Sequence, residues 1–143
     1  MSSVLQFLSR VGDALLDLVG GWDSVLSLLV AMMGLDYVSG IIVACVGRSP
    51  HSKSGCLDSR SSFRGLLQKG LTLMVLAVAA QIDQTLDGSF VRATTAWFYI
   101  ANEAISVLEN AALAGVPMPI QLLKILGKAK EAQDPAEEIR SIL

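Results

Sequence analysis

Asp36, Lys69, Asp83, Glu103 and Glu109 are ionisable residues placed in or at the edges of the most apolar stretches of this sequence. Two carboxylates in such a setting invite comparison with an intramembrane aspartyl pair. Asp36 and Asp83 do not fit it. Asp36 lies about ten residues from one end of its run and Asp83 about fourteen residues beyond Lys69, a depth mismatch of roughly 10 Å at 1.5 Å per helical residue. His51 is the only histidine, and with Cys45 and Cys56 it falls short of the ligands a zinc site needs. The two cysteines make no disulfide framework. The glycines form neither a GxGxxG nor a Walker loop. The reading is therefore a non-enzyme with no metal and no cofactor.

Spacing gives these residues a different role. Asp36, Gly40, Ala44 and Gly47 follow at intervals of four, four and three, which sets a carboxylate beside small residues on one helix face. Small faces let helix backbones approach. A helix–helix contact that buries or neutralises Asp36 is expected. Lys69, entering from the same side on an antiparallel neighbour, is the candidate partner, and a protonated Asp36 bonded to a backbone or hydroxyl group is the alternative. Asp83 closes the second run. Asn102, Glu103, Ser106, Glu109 and Asn110 form one polar stripe opposite Ile100, Ile105, Val107 and Leu108. About seven Val, Ile, Leu and Phe residues contribute on the order of −2 to −4 kcal/mol to insertion, whereas one central acid costs about 2.5 to 3.5 kcal/mol. A second acid and two asparagines make the sum positive. This helix needs either neighbours or water along its stripe, so a polar zipper and an aqueous lumen are both open readings.

Three elements would position these groups. The chain has 143 residues, 52% hydrophobic and 17% charged, with a formal net charge of −2. This composition excludes disorder, and the absence of a basic field argues against nucleic-acid partners. The low charge points to a membrane rather than to a soluble helical bundle. Runs over 22–46, 63–86 and 90–114 approach the roughly 20 apolar residues that a bilayer crossing needs. The charge-free centre of the second run is short, but Lys69 can snorkel. The segment joining the first two runs carries Arg48, Lys53, Arg60 and Arg64 against Asp58, and Lys124, Lys128 and Lys130 follow the third run. The turn with Asp83 and Asp87 has no base. Basic residues collect inside, so the C-terminus is expected in the cytoplasm and the N-terminus outside.

Residues 1–21 form a separate unit. Val4, Leu8, Val11, Leu15 and Leu18 recur at helical spacing, with Gln6, Arg10, Asp13 and Asp17 as the opposing stripe. Ser3 and Gln6 fit a capping box. The missing basic region and the interruption of the apolar run by Arg10, Asp13 and Asp17 argue against a cleaved signal peptide. Such a helix lies in the membrane interface, packs on its own bundle, or stands upright in an oligomer with its stripe on water. Gly20-Gly21 reads as a hinge. Pro117-Met118-Pro119 should stop the third helix. Residues 117–143 then form a cytoplasmic end, with a short amphipathic helix from Ile120 to about Gly127 and a last turn capped by Asp134.

Several pieces together resemble a known family: Asp36-Tyr37-Val38-Ser39-Gly40, Ser61-Ser62-Phe63-Arg64-Gly65-Leu66 running to Lys69, and Asp83. The most specific piece is Asn102-Glu103-Ala104-Ile105-Ser106-Val107-Leu108-Glu109-Asn110 followed by Gly115-Val116-Pro117-Met118-Pro119. Residues 22–127 resemble the phage-lysis and toxin-secretion holins, the family of the clostridial toxin-release holin. The resemblance implies an all-α integral membrane protein with three transmembrane helices, an N-terminal amphipathic helix and a short C-terminal one, assembling into an oligomer. It implies lesions in the bacterial cytoplasmic membrane that depolarise it and release an endolysin or a toxin. Itself and membrane lipid would be the partners, and the cargo would need no direct contact. On that reading Asn102, Glu103, Ser106, Glu109 and Asn110 line the opening, with Gln6, Arg10, Asp13 and Asp17 as a further water-facing stripe. Asp36, Gly40, Ala44, Lys69 and Asp83 serve intramembrane packing. An antiholin and a small channel or transporter subunit are the competing functions.

Overall fold

The computed structural model describes residues 2–48 and 59–132. Among these, α1 covers Ser2–Leu18, α2 Ser24–Cys45, α3 Ser59–Thr85, α4 Phe90–Ala114 and α5 Ile120–Ala132. His51, Cys56, Lys53, Asp58 and the turn expected at Asp134 lie outside the described residues.

The first four helices end the same way. A residue with positive φ follows the helix, and the next N–H reaches back to the carbonyl five residues earlier, covering the last turn. Gly20 (φ +85°), Gly47 (φ +70°) and Gly115 (φ +96°) take that position after α1, α2 and α4, and Asp87 (φ +49°) takes it after α3. The closing bonds run from Gly21 to Leu16, Arg48 to Val43, Gly88 to Asp83 and Val116 to Ala111, at 2.8–3.1 Å. The stop of the third long helix is thus Gly115, before Pro117 is reached. At the N-terminus α1 has already begun at Ser2, so Ser3 lies inside the helix and is not its cap. α5 continues through Gly127 to Ala132. One interior glycine costs only about 1 kcal/mol relative to alanine, too little to end a helix.

α2, with 22 residues, and 24 residues of α3 (Ser62–Thr85) are long and apolar enough to cross a membrane. At 1.5 Å per residue each reaches roughly 33 Å or more, against a hydrocarbon core of about 30 Å. α4 has the length, at 25 residues, but carries Arg92, Glu103 and Glu109 and does not meet that standard of composition. What it lacks in apolarity it makes up in packing. α4 lies along α2 and against α3, while α2 and α3 barely touch each other. Asp23 meets Arg92 at one end, and Gly40 and Arg48 meet Asn110 and Leu113 at the other, so α2 and α4 run parallel. α3 is antiparallel to both, since Asp83 meets the start of α4 and Lys69 its middle.

The core forms where the three helices meet: Leu26, Leu29 and Met33 of α2, Leu76 of α3, and Ala96 and Ile100 of α4. The α2 positions step by three and four, and the same seam continues through Asp36 and Gly40 to Val43. The outer surface is apolar instead of polar. Leu35, Val38 and Ile42 on α2, Leu71, Met74 and Val78 on α3, and Trp97 and Phe98 on α4 are all exposed. Water-soluble monomers do not present a belt of this kind, whereas a bilayer solvates it. This argues against the soluble bundle. α1 packs mainly against α3, and its apolar face stays open.

Candidate functional site: a buried polar cluster joining three helices

One polar cluster links α2, α3 and α4. Lys69 Nζ donates to Asp36 Oδ2 at 2.8 Å and to Glu103 Oε2 at 2.5 Å. Asn110 Nδ2 donates to Asp36 Oδ1 at 3.1 Å and to Ser39 Oγ at 2.9 Å. The Ser39 hydroxyl in turn donates to the Asp36 carbonyl at 2.9 Å. The side chains of Lys69, Asp36 and Glu103 are 14%, 21% and 8% exposed, so most of each is withdrawn from its surroundings. Asp36 lies roughly 18 Å along α2 from Ser24, near mid-depth of a crossing. Two carboxylates therefore share one ammonium between the three helices, largely covered by them.

The cluster answers the insertion problem of α4. Glu103 and Asn110 would be expensive against lipid, but here they face polar groups of the other two helices. Among the described residues, no buried side-chain nitrogen or oxygen lacks a partner. The sequence stripe is divided by this packing. Glu103 and Asn110 point into the protomer, while Asn102, Ser106 and Glu109 remain partly exposed on the adjoining side of α4. Gly40 lies opposite Asn110, but a Cβ there would sit 3.8 Å from Nδ2, an ordinary contact, so the helices do not require a glycine at that point. Ala44 is buried one turn on. Gln6, Arg10, Asp13 and Asp17 lie on the exposed surface of α1, away from the cluster.

Asp83 does not join the Asp36–Lys69 pair. It sits at the opposite end of the bundle, buried, and accepts the backbone N–H groups of Val91 (3.0 Å) and Arg92 (2.8 Å). Ser89, at the N-cap position of α4, makes no side-chain capping bond, and Asp83 caps the helix from α3 instead.

Arg92 is the residue that spacing alone did not single out. Its guanidinium donates to the Val19 carbonyl (2.6 Å), the Gly21 carbonyl (3.2 Å) and Asp23 Oδ2 (2.6 Å). Asp23 also caps α2, accepting the Leu26 N–H at 2.7 Å. A cap signal at Asp23 is visible in the sequence, but its partner lies 69 residues away. The Arg92 hydrogen bond is the main cause that holds the Asp23 carboxyl below its ordinary value of 3.8, against an opposing effect of burial. A depressed folded value means that the contribution is complete above the ordinary value and is lost as pH falls through the lowered one. The stability difference between the native chain and Asp23→Asn should therefore be constant from neutral pH down to about 5 and narrow below about 4. Unfolding in detergent, followed by circular dichroism across that range, measures it.

Residues 13–131 match the bacteriophage holin family. The chain belongs to that family. The match runs from inside α1 to inside α5 and takes in the whole polar cluster. Similar proteins include the "Uncharacterized 14.9 kDa protein in nagH 3'region" of Clostridium perfringens, 43% identical over 75% of this chain and 77% of that one. "Uncharacterized protein Lin0175" of Listeria innocua is 34% identical over 85% and 81%. A "Probable holin" of Bacillus phage phi105 is 35% identical over 66% and 65%. No solved structure matches. Holins are membrane proteins of phage lysis and not an enzyme family, and the two apolar helices agree with a membrane location.

Proposed function

We propose that this chain is a holin that crosses the bacterial cytoplasmic membrane three times. Its N-terminus is outside and its C-terminus inside. It gathers into a homo-oligomer whose lesions depolarise the membrane and let an endolysin or a toxin pass without binding it. The observation that carries the reading is the Asp36–Lys69–Glu103 cluster. It lets a helix too polar to sit alone in lipid be stored in the membrane as the centre of a closed three-helix unit. Such a protomer can accumulate harmlessly. Asn102, Ser106 and Glu109 lie on the edge of α4 that the protomer leaves partly open, and in the lesion they line the opening with Glu103 and Asn110. The basic residues at the Arg48 end and the acidic turn at Asp87 support the orientation.

Expression in a bacterium tests the reading. Induction should produce abrupt depolarisation with or without a co-expressed endolysin, and lysis only with it. Release of a folded cytoplasmic marker separates a holin lesion from a narrow ion path. A chain that merely delays the lysis caused by another holin would be an antiholin, and the proposal would fail.

A further inference from the structure

The contacts of Arg92 have a meaning beyond local stability. The guanidinium occupies the acceptors at the end of α1 (Val19 and Gly21 carbonyls) and the cap of α2, while its own backbone N–H is held by Asp83 of α3. Gln81 Nε2 adds a bond to the Leu18 carbonyl at 3.1 Å. The Arg92 side chain thus ties the exit of α1 to the start of α2 and to α4, its own helix, and the Arg92 backbone and Gln81 bring in α3. The geometry leaves no slack: a Cβ on Gly20 would lie 2.7 Å from Arg92 Nε.

At that level the molecule carries a collar of large exposed apolar residues. Leu18, Trp22, Leu86 and Phe90 are 48–78% exposed, at the ends of the four elements that meet there. The collar continues the lipid-facing belt of the spans below, and the exposed Phe7, Leu8 and Leu15 of α1 extend it outward. Aromatic residues at span ends are typical of the membrane interface. The opposite stripe of α1, with Arg10, Asp13 and Asp17, carries one base and two acids. It has no excess positive charge with which to seek anionic headgroups.

We infer that Arg92 is a positioning residue: it fixes α1 at the outer boundary of the bilayer, where the apolar face of α1 docks on the lipid surface through hydrophobic contact alone. This rests on the membrane reading above. Arginine suits the task because its forked donors reach three separate acceptors at once, which a lysine ammonium on one stem does not.

The test uses the full chain with Cys45→Ser and Cys56→Ser, reconstituted in vesicles. An environment-sensitive fluorophore on Leu8→Cys should report an apolar setting and one on Asp13→Cys an aqueous one. Both should read the same in phosphatidylcholine alone as in a mixture with phosphatidylglycerol, and after dilution of protein into excess lipid. A water-exposed Leu8 probe in an inserted chain overturns the docking. So does an apolar signal lost on dilution, because a second copy would then be the occupant. Spin labels at Asp13 and Thr85 should give one narrow distance distribution in the native chain. It should broaden about twofold in Arg92→Met and stay broad in Arg92→Lys, as expected when local tertiary restraint is lost. A pair at Leu35 and Met74 should be unchanged in each variant. A narrow Asp13–Thr85 distribution in Arg92→Met overturns the clasp. If Arg92→Met does not insert, Arg92→Lys alone carries the expectation, and a narrow distribution there overturns the clasp. Both readings are made in vesicles without lysis, so a chain that inserts but fails here leaves the proposed function standing. A native chain that does not insert sinks that reading instead.

Discussion

Lys69→Met is expected to destabilise the protein by about 3–5 kcal/mol, the largest effect of any single substitution in the bundle. Methionine keeps most of the volume and the apolar stem but removes the only ammonium in the cluster. Asp36 and Glu103 would then face each other across the space that Lys69 Nζ now bridges, at 2.8 Å and 2.5 Å from their oxygens. Two carboxylates without a base, largely hidden from water, repel each other, and the Asn110 bond to Asp36 does not offset their desolvation. The effect should appear as a fall in melting temperature in detergent and as reduced protein in the membrane fraction. Adding Glu103→Gln to Lys69→Met should recover part of the loss. It leaves a single carboxylate, which keeps its bond from Asn110. Lys69→Met melting within 0.5 kcal/mol of the native chain would show that the cluster does not hold the helices together.

The second large effect is expected at Asp83. Asp83→Ala should cost about 3 kcal/mol, because two charge-assisted hydrogen bonds to the Val91 and Arg92 N–H groups disappear and those donors are left without an acceptor at a buried helix start. Asp83→Asn retains one acceptor oxygen and should cost roughly half as much. The loss should be local at first. Hydrogen exchange should rise at the first turn of α4, and the α1 exit should loosen with it, because the side chain of Arg92 holds Val19 and Gly21. Mass-resolved exchange on the two variants and the native chain reads this directly. Uniform exchange at the start of α4 in all three would remove the capping role.

The two substitutions act on opposite ends of one design. Lys69 supplies the charge that makes the interior of the bundle tolerable, and Asp83 supplies the acceptor that lets α4 begin where it does. Neither contact is local in sequence: Lys69 reaches 33 and 34 residues, and Asp83 reaches eight and nine across the turn. At the start of α4 the N-cap position is Ser89, whose hydroxyl makes no capping bond; the α3 carboxylate of Asp83 takes the donors instead.

Much of the architecture follows from the chain itself. Apolar runs of the right length dictate α2 and α3, because nothing else satisfies so many backbone groups away from water. The amphipathic period of residues 4–18 dictates α1, whereas the stops at Gly47 and Gly115 emerge only from the backbone, since the prolines after α4 suggest a stop two residues later. The polar character of α4 was equally plain, as was its inability to stand alone in lipid. What spacing could not decide was the direction in which that stripe would turn. A stripe of five polar residues is compatible with a lumen, with a zipper, or with both, since helical periodicity defines a face but not its neighbour. Packing resolves it within the protomer: α4 enters between α2 and α3 and turns Glu103 to Lys69 of α3 and Asn110 to Asp36 and Ser39 of α2, while Asn102, Ser106 and Glu109 stay partly exposed. Arg92 makes the same point at the boundary. A single arginine near a span start has many possible partners, and only the convergence of Val19, Gly21 and Asp23 in space selects these three. Composition and period determine which segments become helices because those forces act between near neighbours. Tertiary structure decides which charges meet because Coulomb attraction and desolvation depend on distances that folding alone sets.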